Sequence, residues 1–242
     1  MKKLLKALCL LVFGFVACNS LTFAEGISVN VNGRDTSPLD ILFLTTLLTL
    51  LPTIVLLMTC FTRIVIVFSF LKNAMGTAQV PPSQVIVGLS LCLTFFIMSP
   101  VVTDINEHAY KPYREGKIEW EQALKAAEKP LKKFMRDQTN SDDLALFMKI
   151  SKTPPVKKLE DLGMTTVVPA FIVSEIKKAF VIGFCLFIPF IVIDMVVSSI
   201  LMSLGMMMLP PAMISLPFKI LLFILADGWD RLIVSLVDGF RK

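Results

Sequence analysis

Long apolar stretches separated by short polar breaks make up most of this chain, with one extended charged segment in the middle. Apolar sequence runs from Leu39 to Leu71, interrupted by Pro52, Arg63 and small polar residues. A polar break from Lys72 to Pro82 ends in Pro81-Pro82, and a second apolar stretch covers Ser83 to Val102. The third starts at Pro169 and stays nearly all apolar to Leu209; beyond Pro210-Pro211 a shorter piece runs from Ala212 to Ala226. As continuous helices the first and third would be about 50 Å and about 60 Å long, against about 30 Å of bilayer hydrocarbon. Such lengths predict helices that tilt, kink at Pro52 or Pro189, or pack against protein outside the lipid. The pattern therefore predicts an all-α, membrane-class fold of four long apolar helical segments paired as two hairpins. The hairpin tips fall at Lys72–Pro82 and Gly205–Pro211.

Residues 104–167 differ abruptly, with 12 Lys/Arg and 11 Asp/Glu. Trp120, Leu124, Ala127, Leu131 and Phe134 recur at three and four residues, the spacing of a helix, with Pro130 expected to kink or split it. Ser141 ahead of Asp142-Asp143 opens a second helix with Leu144, Phe147 and Ile150 on its apolar face, and Thr153-Pro154-Pro155 ends it. A domain this small buries few side chains alone. Phe134 and Phe147 therefore either close its own core or complete their burial against a neighbouring subunit.

Composition sharpens the class: 55% of the 242 residues are hydrophobic, too many for a soluble domain of this size. The first 24 residues read as a secretory signal, with a basic start, an apolar run from Leu8 to Ala17, and a Thr22-Phe23-Ala24 cleavage site before Glu25. A lipoprotein signal acylated at Cys18 is the rival reading, and Phe15 fits it poorly. Polar residues 25–38 form an exported leader, so the divisions expected are 1–24, 25–38, a first hairpin at 39–103, the exported domain at 104–167, and a second hairpin with tail at 168–242. Arg63 and Lys72 assign the first tip to the cytoplasm by the positive-inside tendency. The net charge of +5 falls to +2 without Lys2, Lys3 and Lys6, so no nucleic-acid partner is suggested. Cys60, Cys92 and Cys185 lie in separate apolar stretches without metal-ligand spacing and read as small hydrophobes.

Little in the chain looks like catalysis. There is no phosphate-binding glycine loop, His108 is the only histidine, and neither a metal nor a cofactor is implied. What stands out is polar chemistry inside apolar sequence. Glu175 and Lys178 are three apart and pair on one helix face, while Lys177 lies beside them. Asp194 has about fifteen largely apolar residues on each side and must face protein or water, either in an ion path or in an assembly contact. Met206, Met207 and Met208 lie between Gly205 and Pro210-Pro211. Flexible thioethers at a break either fill a packed core or close around something of variable shape.

The run from Phe61 to Thr77, Val80-Pro81-Pro82-Ser83-Gln84-Val85 and Thr94 to Val101 closely resemble the FliP family of flagellar type III export-gate subunits. The likeness continues through Lys111-Pro112-Tyr113, Gly116-Lys117-Ile118, Gln138-Thr139, Asp143 to Phe147, Pro169-Ala170-Phe171 and Ser174-Glu175. It closes on Ile188-Pro189-Phe190, Ile193-Asp194, Met202 to Pro211, Ile214 to Lys219 and Asp227-Gly228-Trp229. The resemblance implies a pentamer that joins FliQ-like and FliR-like subunits in a closed helical oligomer, passing unfolded export substrates through its centre. It further implies contact with other export-apparatus and basal-body proteins and with membrane lipid, in the inner membrane and on the periplasmic side of the basal body. Met206, Met207 and Met208 fall where the family has a channel gasket, and residues 104–167 where it has a domain that helps subunits associate. A cleaved signal favours the flagellar branch over the injectisome branch. The rival from another class is a small-solute or ion transporter using Asp194, weakened by the lack of an internal repeat between 39–103 and 169–240.

Overall fold

The computed structural model describes residues 30–31, 34–35, 38–77, 80–151, 162–206 and 208–241. The expected signal segment and cleavage site, Cys18 and Met207 lie outside the described residues. The chain divides into two compact units, Met1–Thr53 and Ile54–Lys242. The first unit contains a two-residue antiparallel pair, β1 (Asn30–Val31) with β2 (Arg34–Asp35), and most of α1 (Pro38–Leu57).

In the second unit every described element is helical: α2 (Phe61–Met75), α3 (Ser83–Ile105), a π-helical turn (Asn106–Tyr110), α4 (Lys111–Arg114), α5 (Trp120–Gln138), α6 (Ser141–Ile150), α7 (Met164–Ser203), α8 (Pro211–Leu225) and α9 (Gly228–Asp238). The fold is all-α apart from the small β pair. Among the described residues, Ser83–Arg114 and Met164–Ser203 are long and apolar enough to cross a membrane, at 32 and 40 residues. Thr45–Leu57 with Phe61–Met75 makes a third only if the bent pair counts as one span. The fourth expected segment falls short: α8 has 15 residues, or roughly 22 Å of rise.

Breaks do not fall where the prolines suggest. Pro52, Pro130 and Pro189 all lie inside helices, so α5 is not split and α7 runs through Pro189 without ending. A proline removes one hydrogen bond but need not end a helix whose flanking turns are held by packing, and α7 packs against α2, α5, α6 and α8. The first long stretch instead breaks at Met58–Cys60. There the Thr59 hydroxyl donates to Leu56 O at 2.8 Å and accepts from the Phe61 N–H at 3.4 Å, supplying both new helix ends.

Helix α2 forms the centre of the main core. Cys60, Ile64, Val67, Phe68 and Leu71 recur at helical spacing and are buried against α3, α7, α8 and α9. The second core joins Met135 and Leu144 to Val167, Ala170 and Phe171. Those last three belong to α7, so the boundary expected at 167/168 falls inside a helix that also completes the core of the small domain.

Candidate functional site

Three charge clusters tie the helices together, and α7 contributes to each. The first is centred on Arg63 in the first turn of α2, at the end away from Lys72 and the hairpin tip. Its Nε donates to Glu175 Oε2 at 2.8 Å, and its Nη2 donates to Glu175 Oε1 and, at 3.2 Å, to Gln138 Oε1. The side chains of Arg63 and Glu175 are 4% and 0% exposed. Nη1 reaches Gly239 O at 3.5 Å, and the guanidinium lies over the Phe240 ring at 3.7 Å from its centroid. Gln138 Nε2 in turn donates to Phe240 O at 3.2 Å. Lys178 Nζ donates to Gln138 O and approaches Glu175 Oε1 at 3.9 Å. Arg63, Glu175 and Lys178 are thus brought together, joined by Gln138, Gly239 and Phe240.

Phe134 borders this cluster. Its half-buried ring stacks on Phe240 at 6.3 Å and meets Phe171 edge to face at 6.0 Å. Phe147, also half-buried, packs on the second core. Trp120 and Leu124, expected on the same apolar face of α5 as Phe134, are exposed instead, and Ala123 is the buried residue there.

The second cluster fixes α6 to α7. Ser174 Oγ donates to Asp143 Oδ2 at 2.7 Å and accepts from the Asn140 N–H at 3.1 Å; Lys177 Nζ donates to Asp143 Oδ1. The Lys177 hydrogen bond, opposed by desolvation and helped by Ser174, holds the Asp143 carboxyl below its ordinary pKa.

The third surrounds Asp194. Lys219 Nζ on α8 donates to Asp194 Oδ2 at 2.6 Å, and Ser215 Oγ, one turn earlier, lies 2.6 Å from Oδ1. Lys219 also donates to Ala74 O at 3.3 Å, near the C-terminus of α2, where the helix dipole favours a cation. Lys219 is 7% exposed and Asp194 40%. Asp194 therefore has a cation and a hydroxyl within its own chain. Sequence reading missed Lys219 and Ser215 as its partners, although both lie on the other arm of the same hairpin and are four residues apart. That spacing puts them on one face, available to an acid a comparable distance before the tip.

At that tip α7 ends at Ser203, and Gly205 adopts φ 76°. Pro210 caps α8, and Pro211 opens it. Met206 is 42% exposed and Met208 99% exposed. The described thioethers are therefore at the surface of the chain, not filling its core.

A long-helix fold, joined by one buried and two partly buried charge pairs and carrying two to three membrane-capable stretches, defines a helical membrane-class protein. The FliP family model matches residues 44–236. The "Flagellar biosynthetic protein FliP" of Bacillus subtilis (strain 168) is 53% identical over 204 residues, covering 84% of this chain and 92% of that protein. The protein of the same name from Pectobacterium carotovorum subsp. carotovorum is 51% identical over 199 residues, covering 82% of this chain and 77% of the relative. A longer namesake, from Buchnera aphidicola subsp. Baizongia pistaciae (strain Bp), is 52% identical over 203 residues, which cover 84% of this chain and 56% of that protein. The chain belongs to the FliP family.

Proposed function

We propose that this chain is a core subunit of the flagellar type III protein export gate. With further copies of itself and FliQ-like and FliR-like subunits it forms the channel through which unfolded flagellar proteins are exported. Helix α7 carries the reading. It has 40 residues, roughly 60 Å of rise; its later part exposes Phe180, Val181, Phe184, Ile188, Val192, Met195, Val196 and Ile200, and exposed apolar residues continue through Met202, Leu204, Met208 and Leu209 into α8 at Met213 and Phe218. A bilayer covers about half of such a helix, and the chain's own helices cover the part before Phe180; the exposed apolar surface that continues past the span around the tip calls for protein. The flagellar names of its relatives favour this gate over its injectisome counterpart.

In this reading the chain sits in the bacterial inner membrane and on the periplasmic side of the flagellar basal body, with the N-terminus and the 104–167 domain exported after signal cleavage. Its action is passive, and other components supply the energy. Met206, Met207 and Met208 from several subunits form an apolar constriction that resists wetting and adapts to the varied side chains of a passing polypeptide. Phe134, Phe147 and Glu175 lie where they hold the exported domain in shape for neighbouring subunits. Asp194, neutralised by Lys219, joins helices and carries no ion.

Gentle purification with native mass determination tests the assembly: a several-copy complex with smaller companion subunits is expected, and a solitary chain refutes the gate. Replacing Met206, Met207 and Met208 with alanine should preserve that complex and raise ion leakage across the membrane. Normal assembly with neither leakage nor altered export refutes the gasket. Ion flux that follows titration of Asp194 would instead support a transporter.

A further inference from the structure

Both tyrosines of the chain and one of its two tryptophans fall between residues 110 and 120. Tyr110, Tyr113 and Trp120 are exposed at 54%, 42% and 63%. The backbone gathers them. Gly116 takes φ 70°, a conformation glycine adopts without steric cost, and the turn it makes brings the Tyr113 and Trp120 rings edge to face at 5.8 Å. Arg114 lies 5.9 Å from the centre of the Tyr110 ring, and Leu124, one turn along α5 from Trp120, is exposed beside them.

This cluster sits at the end of the membrane-capable stretch Ser83–Arg114, whose exposed side chains include Phe95, Phe96 and Val102. Tyrosine and tryptophan concentrate at membrane–water boundaries because the ring body is apolar and its hydroxyl or N–H stays wet. Side chains on a helix lean toward its N-terminus, which for Tyr110 and Tyr113 is back toward the apolar part of the span. The surrounding charges are mixed. Lys111, Arg114 and Lys117 alternate with Asp104, Glu107, Glu115 and Glu119, and Lys117 pairs with Glu115 at 2.6 Å, so the patch carries no excess of positive charge to select an anionic headgroup.

We propose that Tyr110, Tyr113 and Trp120 form an interfacial anchor that holds the unassembled chain at the headgroup boundary of a phospholipid bilayer and sets the depth of the Ser83–Arg114 span. This goes beyond the gate reading and concerns the single subunit before it meets partners.

The full chain, carrying Trp229→Phe so that Trp120 alone emits, is reconstituted into phosphatidylcholine vesicles brominated either near the headgroup end or near the methyl end of the acyl chain. Trp120 should lose most of its emission to the shallow bromines and keep most of it with the deep ones. Adding phosphatidylglycerol should leave the result unchanged. Absent quenching, or quenching as strong from the deep position, overturns the anchor. So does a Trp120 shielded from aqueous acrylamide yet untouched by either brominated lipid, because a second protein chain would then cover the patch. Trp229 packs 5.4 Å from Phe223; should its replacement disturb folding, the difference between native and Trp120→Phe emission gives the same readout.

Discussion

Arg63 and Glu175 are both buried, and each is satisfied by more than the other. Moving two charges out of water costs several kcal/mol per ion, which a single contact does not reliably offset. Here Gln138, the Gly239 carbonyl and the Phe240 ring supply further partners to the guanidinium. Asp143 gives the pH-dependent counterpart. Its folded pKa lies below the ordinary value of 3.8, so its contribution to stability is fully present above that value and is lost as pH falls through the lowered one. Asp143→Asn should remove this acid sensitivity. Amide protection of α6, corrected for the intrinsic pH dependence of exchange and followed as pH falls from neutrality to below the ordinary carboxyl range, should fall in the native chain and change little in the variant.

At the scale of elements, the contact between α2 and α7 includes a close approach at Gly183. A Cβ on Gly183 would lie 2.5 Å from Phe70 Cγ. The Phe70 ring meets Phe180 at 5.1 Å and Phe187 at 6.0 Å, so it has little freedom to yield. Gly183→Leu should overpack this contact and destabilise the fold by about 1–3 kcal/mol, read as a lower unfolding temperature in detergent, with helix content retained. Much of the element order was legible in the chain: the apolar stretches, both hairpin tips and a helix starting at Ser141 came from period and punctuation alone. The bend at Thr59 was not legible, because a threonine hydroxyl that serves two helix ends has no sequence signature distinct from any other threonine. The unbroken course of α5 and α7 through Pro130 and Pro189 was equally hidden, since neighbouring helices decide whether a proline ends a helix.

For the whole molecule, Lys219 is a junction. It joins α8 to α7 through Asp194 and reaches the end of α2 through Ala74 O. Lys219→Met should leave the carboxylate uncompensated and lower stability by about 1–3 kcal/mol, less than the ~3–5 kcal/mol of a fully buried broken pair because Asp194 retains some exposure. The double variant Lys219→Met with Asp194→Asn should recover most of that loss in the same thermal assay. Equal losses in the single and double variants would show that packing, not the charge pair, holds this junction.

The order of apolar and polar residues by itself determined that this protein is helical and membrane-class, where it reverses direction, and, through its long motif strings, which family it resembles. Periodicity and charge carry such information because they act between neighbours along the chain. Which charges meet was decided only in three dimensions. Glu175 lies 112 residues from Arg63 and Lys219 lies 25 from Asp194; α7 serves both pairs because its length carries it past one cluster and on to the next. The exposure of Trp120 and Leu124 was decided in the same way, since helical spacing gives α5 an apolar face but packing chooses how much of it is covered.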